Sequence, residues 1–497
     1  MKNENWVTEQ FETDLALAYQ QEHCESDKDS YDIEMQLHLA HVEMLLHQKI
    51  LSQEEAALLL KALLKAWRSG PEIIPIHPGR ADLYSNLEDW VVDEIGIDVG
   101  GKFHIGRSRN DMNCNLSRMM CRAYLIDFAL SVCSLIQDLL EKADGHVETV
   151  MPGYTHHSQH AQPTTMGHYL IWGVDSFLRD LDRAAACYDR LNHSSMGAAA
   201  LCTTGFPISR EFMADALGFD GIVEHSIDAA GSRDFMLDTE AVLSIFQTNL
   251  NRLTELLLVW NIREIGIVRL ARKHCSYSSI MPQKVNPVGV EMVRHAAAVT
   301  YGNMSSMFVT LKGTTPGNGR EPSYLDGFVM ESFRRTIPSA AYVGDMVREM
   351  TVNKERCLQL AREGFSTMTE LADDMVRNEG ISFYMAHKIV SHLAQIAVDE
   401  GIPCEGITGA LVDRVTEELF GRKLGMTDAE VKHAINPVEN VMDRKIVGGP
   451  AFEETQRMLK DRRERLAAVE AAWKAKKAYQ MQKMEECVRT AEEIIQH

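Results

Sequence analysis

The sequence predicts a mainly α protein organised around a central bundle of long helices. Three observations carry that expectation. Only 14 prolines occur in 497 residues, and none lies between Pro78 and Pro152 or between Pro207 and Pro282. Proline lacks an N–H and clashes with the preceding turn, so long stretches without it suit long helices. Apolar residues recur at helical spacing at Leu170, Val174, Phe177, Leu181, Ala185 and Tyr188, and again at Val242, Phe246, Leu250, Leu253, Leu257 and Trp260. Each run marks one face of a helix. Alternating β-branched runs closed by Asn-Gly turns are scarce.

The elements follow in order. Residues 1–106 read as an N-terminal segment of shorter helices, broken by a Pro/Gly-punctuated stretch from Pro71 to Arg80. Residues 107–362 hold the long-helix bundle: the two periodic runs, a loop at 274–288, and a further helix from Val288 to about Leu311. Residues 363–497 form a C-terminal helical segment. It ends in a run without proline or glycine, Ala451 to His497, with Leu466, Val469, Trp473, Met484, Val488, Ala491 and Ile495 at helical spacing. That run reads as a charged terminal helix packed on its own or a neighbouring subunit. There is no short internal repeat and no long low-complexity segment.

Composition narrows the function. The net charge is −20, with 71 acidic residues against 51 basic ones, and 45% of residues are hydrophobic. Such a chain has core enough for more than one domain. Its acidity disfavours nucleic acid and anionic membrane surfaces as partners. An anionic substrate would therefore need a local basic pocket. Ten cysteines are scattered without a CxxC pair, which reads as reduced, mostly buried thiols in a cytosolic protein. Met1 to Asn5 is polar and no run of 18 apolar residues occurs, so neither a secretory signal nor a membrane span is expected, and the cytoplasm is the expected location.

The densest chemistry lies in Ser278-Ser279-Ile280-Met281-Pro282-Gln283-Lys284-Val285-Asn286-Pro287. Two prolines make this a loop. Two hydroxyls, an ammonium and an amide in one loop suit holding an anion and moving a proton; the residues alone also allow a plain connector. A second block, His104-Ile105-Gly106-Arg107-Ser108-Arg109-Asn110-Asp111, places two arginines, a serine and an amide beside a glycine, a pattern for carboxylate or phosphate at a helix start. It equally fits an Arg/Asp cluster closing an interface. A third block runs from Gly153-Tyr154-Thr155-His156 to His160-Ala161-Gln162-Pro163. His156 and His160 stand four apart, but no HExxH pattern accompanies them and Pro163 makes the segment irregular. A polar site with Thr155 and His156 is therefore preferred to a metal site. Ser195-Met196-Gly197-Ala198-Ala199-Ala200 reads as a small-residue loop or tight packing. Ser232-Arg233-Asp234-Phe235 sets Arg233 among polar neighbours.

Together these blocks resemble the argininosuccinate lyase family of the fumarase/aspartase superfamily. The likeness rests on Gly106-Arg107-Ser108-Arg109-Asn110-Asp111, Gly153-Tyr154-Thr155-His156 with Ala161-Gln162-Pro163, Phe206-Pro207-Ile208, Arg233-Asp234-Phe235, the Ser278 loop, Leu371-Ala372-Asp373 and Val447-Gly448-Gly449-Pro450-Ala451. It implies a three-domain, mostly helical protomer and a homotetramer whose active sites gather loops from three subunits. It implies β-elimination of fumarate from an N-substituted aspartate, a small anionic substrate, without metal or organic cofactor. By resemblance, Ser278 is the base, Lys284 stabilises its alkoxide, and His156 is the candidate acid or polariser. Ser279 would bind substrate. Asn286, Asn110 and Thr155 would donate to the charge building on the carboxylate, with Arg109 and Arg107 adding positive potential. Asp82, where the family has an Asp-Ile-His turn, Arg233 and Gln162 complete the expected binding set.

The amine half departs from the pattern. The family's Tyr-Asn-Lys-Asp-Leu-Gln-Glu-Asp-Lys stretch is replaced by Asn318-Gly319-Arg320-Glu321-Pro322-Ser323-Tyr324-Leu325-Asp326, so its final lysine becomes Asp326. His225-Ser226 replaces an expected Asn-Ser. Buried polar groups reject ligands that leave them unpaired. The expected substrate is therefore argininosuccinate or another N-succinyl amine, as in ethylenediamine-disuccinate lyases, with Arg320 and Tyr324 as candidate contacts for the altered half. Carboxymuconate cycloisomerisation and a non-catalytic, crystallin-like role are the alternatives from other classes.

Overall fold

A computed structural model describes residues 28–77, 80 and 82–497. Part of the Pro71–Arg80 stretch, and Cys24, thus lie outside the described residues. The protein is mainly helical. The N-terminal part contains α1 (Tyr31–His47), α2 (Gln53–Ser69) and α3 (Leu83–Ile95). A Ser52/Glu55 capping box starts α2, and the Asp82 carboxylate caps α3 through Ser85 N–H at 2.8 Å. Such caps satisfy backbone donors that a helix start leaves orphaned.

The centre is built from α4 (Arg109–Asp144), a hairpin of β1 (Val150–Thr155) and β2 (Gln159–Thr165), α5 (Met166–Leu191) and α6 (Asp234–Trp260). Then come β3 (Val268–Arg269), β4 (Ser276–Tyr277), β5 (Val285–Asn286), α7 (Val288–Leu311), α8 (Leu325–Glu349), β6 (Thr351–Val352) and α9 (Lys354–Arg362). Both periodic runs lie inside helices, and the helix after the loop spans Val288–Leu311 as expected. The core of this part packs Leu135, Phe177, Phe246 and Phe333 from α4, α5, α6 and α8 together. Of these helices, α4 is long and apolar enough to cross a membrane by length and composition, with a window of mean hydropathy 1.6. Much of that window, 61%, is buried against neighbouring helices, which is how a bundle's central helix reads.

The C-terminal part has a separate core in which α10 (Met368–Glu379), α11 (Phe383–Glu400) and α12 (Gly409–Phe420) pack together. The last helix, α13 (Phe452–Gln496), contributes nothing to that core. Its Met458, Leu459, Leu466 and Trp473 join the central core, and Cys487 and Ala491 join the N-terminal one. At 45 residues and about 1.5 Å per residue, it is long enough to strap the two together.

Candidate active site

Three groups of side chains collect the chemistry. The first stands at the start of α4. Ser108 accepts Asn110 N–H at 3.3 Å and its own N–H donates to Asp111 Oδ1 at 2.9 Å. Asp111 is buried, and its other oxygen accepts Gly197 and Ala199 N–H at 2.8 and 2.9 Å. One turn on, Asn115 Oδ1 accepts Ser195 N–H at 2.8 Å and the Ser194 hydroxyl at 2.9 Å. The small-residue loop 195–200 is thereby laid across the helix start. Burial lifts the Asp111 carboxyl to about 6, opposed by its backbone donors, so it is mostly ionised at neutral pH.

Asn110 joins this platform to a second loop. It donates to Ala200 O at 3.1 Å and accepts from Asn318 Nδ2 at 3.0 Å, while Arg233 donates to Asn318 Oδ1 at 3.2 Å. The loop can come this close because Gly231 has no side chain: a Cβ there would stand 2.5 Å from Gly317 N. Arg109 reaches Asp82 at 3.2 Å. Arg107 lies elsewhere. It is buried in the N-terminal core, donates to Phe103 O at 3.0 Å, and stacks on Phe103 and Tyr84. Burial first and the Arg107 charge second hold His38 and His41 well below the usual histidine range.

The second group is the tip of the β1–β2 hairpin. Thr155 pairs with Gln159, and His156, His157 and Ser158 make the turn with φ of 44°, 56° and 75°. Left-handed backbone at three successive residues with side chains costs roughly 1–3 kcal/mol each. Thr155, His156 and Gln162 are exposed. Tyr169 OH accepts Tyr154 N–H at 2.7 Å and anchors the hairpin on α5.

The third group is the Ser278 loop. The short β4–β5 ladder closes its base, pairing Ser276 with Asn286 and Tyr277 with Val285. Inside, Lys284 N–H donates to Met281 O at 3.0 Å. The Ser278 hydroxyl oxygen accepts Met281 N–H at 3.1 Å and Ile280 N–H at 3.4 Å. Ser279 and Lys284 are exposed, and Ile280 is 83% exposed. Arg272 donates to Tyr277 OH at 3.0 Å and braces the base of the loop.

Two family models match the chain: one described as Lyase over residues 8–302, and one described as Argininosuccinate lyase C-terminal over residues 365–442. The argininosuccinate lyase of Methanocaldococcus jannaschii is 36% identical over 440 residues, covering 88% of this chain and 89% of the relative. That of Methanosarcina acetivorans is 38% identical, covering 87% of each. The chain belongs to the argininosuccinate lyase family. Membership makes it a fumarate-releasing carbon–nitrogen lyase, the class expected from its motifs. Among solved structures, an EDDS lyase variant with bound fumarate superposes with a TM-score of 0.86 at 31% identity, covering 94% of this chain and 93% of the other. A class II fumarase from Schistosoma mansoni, at 16% identity and a TM-score of 0.70, shares the fold.

The segment expected to meet the amine, residues 318–326, bonds to itself and to α4. Arg320 and Tyr324 bond to each other, Nε to OH, at 3.3 Å. Asp326 accepts the Ser117 hydroxyl at 3.0 Å, two turns along α4 from Asn110. Among the described residues, no hydrogen bond or ion pair joins the Asn110 platform, the His156 turn and the Ser278 loop to one another. Residue type alone gives no role to Asn318, Asn115 or Asp111. The glycines flanking Asn318 are its local signal, marking a backbone that approaches closely, and Asp111 is marked by its place in the Gly106–Asp111 motif.

Proposed function

We propose that the protein is a homotetrameric lyase acting on argininosuccinate or a related N-succinyl amine, with each active site completed by three chains. One supplies the Asn110 platform, a second the His156 turn, and a third the Ser278 loop. The observation that carries this is the Ser278 hydroxyl. Two backbone N–H groups aim at its oxygen, and donors to the charged form lower a group's proton affinity. Lys284, in the same loop, adds an ammonium. A serine so placed is suited to act as a base.

In the reaction, Ser278 Oγ takes the proton from the carbon beside the succinyl carboxylate. The released electron pair loads that carboxylate, where Lys284, Asn286, Asn110 and Thr155 offer donors; such stabilisation is usually the largest catalytic term. Collapse forms the C=C bond of fumarate as the C–N bond breaks. The departing nitrogen takes a proton, with His156 as the candidate donor. Ser279, Arg109 and Gln162 hold substrate, and the buried Arg233 positions Asn318 beside Asn110. The exposed, ladder-hinged loop is built to close over it and exclude water. Exposed apolar side chains along α7, including Met292, Tyr301, Phe308 and Val309, support burial of that helix by other subunits.

The Asp326 carboxylate, standing where the family carries lysine, favours an amine half different from that of argininosuccinate. The test is ultraviolet detection of fumarate from a panel of N-substituted aspartates, together with the reverse reaction of fumarate with assorted amines. Release from argininosuccinate at rates above every other substrate would reject the altered amine half. Silence across the panel would reject the lyase assignment to an N-succinyl substrate.

A further inference from the structure

We propose that a cationic cavity behind the Ser278 loop binds a compact oligophosphate anion, and that this ligand draws Lys284 onto its own chain and slows turnover. The cavity has a volume of about 1230 Å³. The loop residues Met281 and Gln283 to Pro287 form one wall, and β3, β6 and the turn after α6 form the others. Five cations line it, Arg263, Arg269, Arg272, Lys284 and Lys354, against one carboxylate, Glu355. None of the five has a carboxylate within ion-pair distance among the described residues. The chain as a whole carries a net charge of −20, so this concentration of positive charge is local. Lys273, beside Arg272, pairs with Asp345 at 2.8 Å and Glu349 at 3.7 Å.

Like charges gathered without counter-charge repel, and a concave site focuses their field. The arrangement favours an anion whose charge is spread over several groups. A dicarboxylate such as fumarate meets two cations and leaves three unneutralised. A chain of phosphates spans the cavity, and arginine forks match phosphate oxygens. The side-chain amides of Asn261, Gln283 and Asn353 supply further donors on the same walls. Lys284 faces this cavity and belongs to the catalytic loop, so an anion held there competes with the reaction for the same ammonium. The effect on turnover rests on the lyase assignment above; the binding does not.

Isothermal calorimetry of the intact protein with sodium tripolyphosphate at low salt tests the binding. One site per chain is expected. Arg269→Gln with Lys354→Gln removes two charged contacts outside the catalytic machinery, and should weaken binding by at least roughly tenfold with unchanged basal turnover. Arg263→Gln alone should weaken it in the same direction, and serves as the second variant, with circular dichroism and gel filtration reporting the fold. No binding to the wild type, or equal binding to the folded variants, would overturn the site. Full turnover with the site saturated by tripolyphosphate would overturn the coupling, whatever substrate supports turnover.

Discussion

Glu240 on α6 is completely buried in the central bundle. One of its oxygens accepts the Ser332 hydroxyl at 2.5 Å, and the other has no partner. Burial therefore pushes its carboxyl from 4.5 up to about 8, with the Ser332 bond opposing. The folded chain holds a proton here that the unfolded chain releases near 4.5. Stability from this group is complete below that pH and is lost as pH rises towards 8. At about 1.4 kcal/mol per pH unit, the window from 4.5 to about 8 is worth about 5 kcal/mol. Glu240→Gln keeps the shape and a bond to Ser332 but cannot ionise. It should be about 3 kcal/mol more stable than the wild type at pH 7, and its stability should change less between pH 5 and 8. Urea unfolding followed by circular dichroism across that range measures both. A variant with the wild-type pH slope would refute the assignment of a buried, protonated carboxyl.

The remaining expectations follow from the site. Ser278→Ala should lower turnover by at least ~10²-fold with the thermal transition unchanged; full activity would remove Ser278 from the mechanism. If sites are shared, co-assembly of Ser278→Ala chains with His156→Gln chains should restore part of the activity each parent lacks, and no recovery in verified mixed tetramers would count against three-chain sites. Asp111→Asn turns an NH₂ group towards N–H donors on one side of the carboxylate. It should cost about 2–6 kcal/mol for two orphaned buried donors and reduce activity, so a variant as stable as the wild type would contradict the proposed pinning of loop 195–200. Gly231→Ala drives a Cβ into Gly317 and should cost about 1–3 kcal/mol. It should also raise KM through the displaced Asn318, an effect absent if the Asn318–Asn110 bond is irrelevant to binding.

Much of the fold was legible in the chain because helical periodicity is a local signal. The runs from Leu170 and Val242, the helix from Val288 and the terminal helix all stand where spacing and proline placement put them. Helix α8 was not legible in this way, since Pro338 lies inside it and its stability comes from packing on α4, α6 and α7. The short ladders are not legible either. Two-residue strands such as Ser276–Tyr277 carry no alternation to detect, and their pairing depends on a loop returning from eight or more residues away.

The sequence by itself determined which side chains could do the chemistry, because residue types and their order along the chain are a one-dimensional record of motif. It also determined the helical class and the reaction class. Tertiary structure alone decided how those side chains are used. It turned Arg107 into the N-terminal core against Tyr84 and His38, linked Asn110 to Asn318 across 208 residues, and laid loop 195–200 on Asp111. Such outcomes depend on the close approach of distant backbone, at Gly231 and Gly317 for example, which no local pattern of residues encodes.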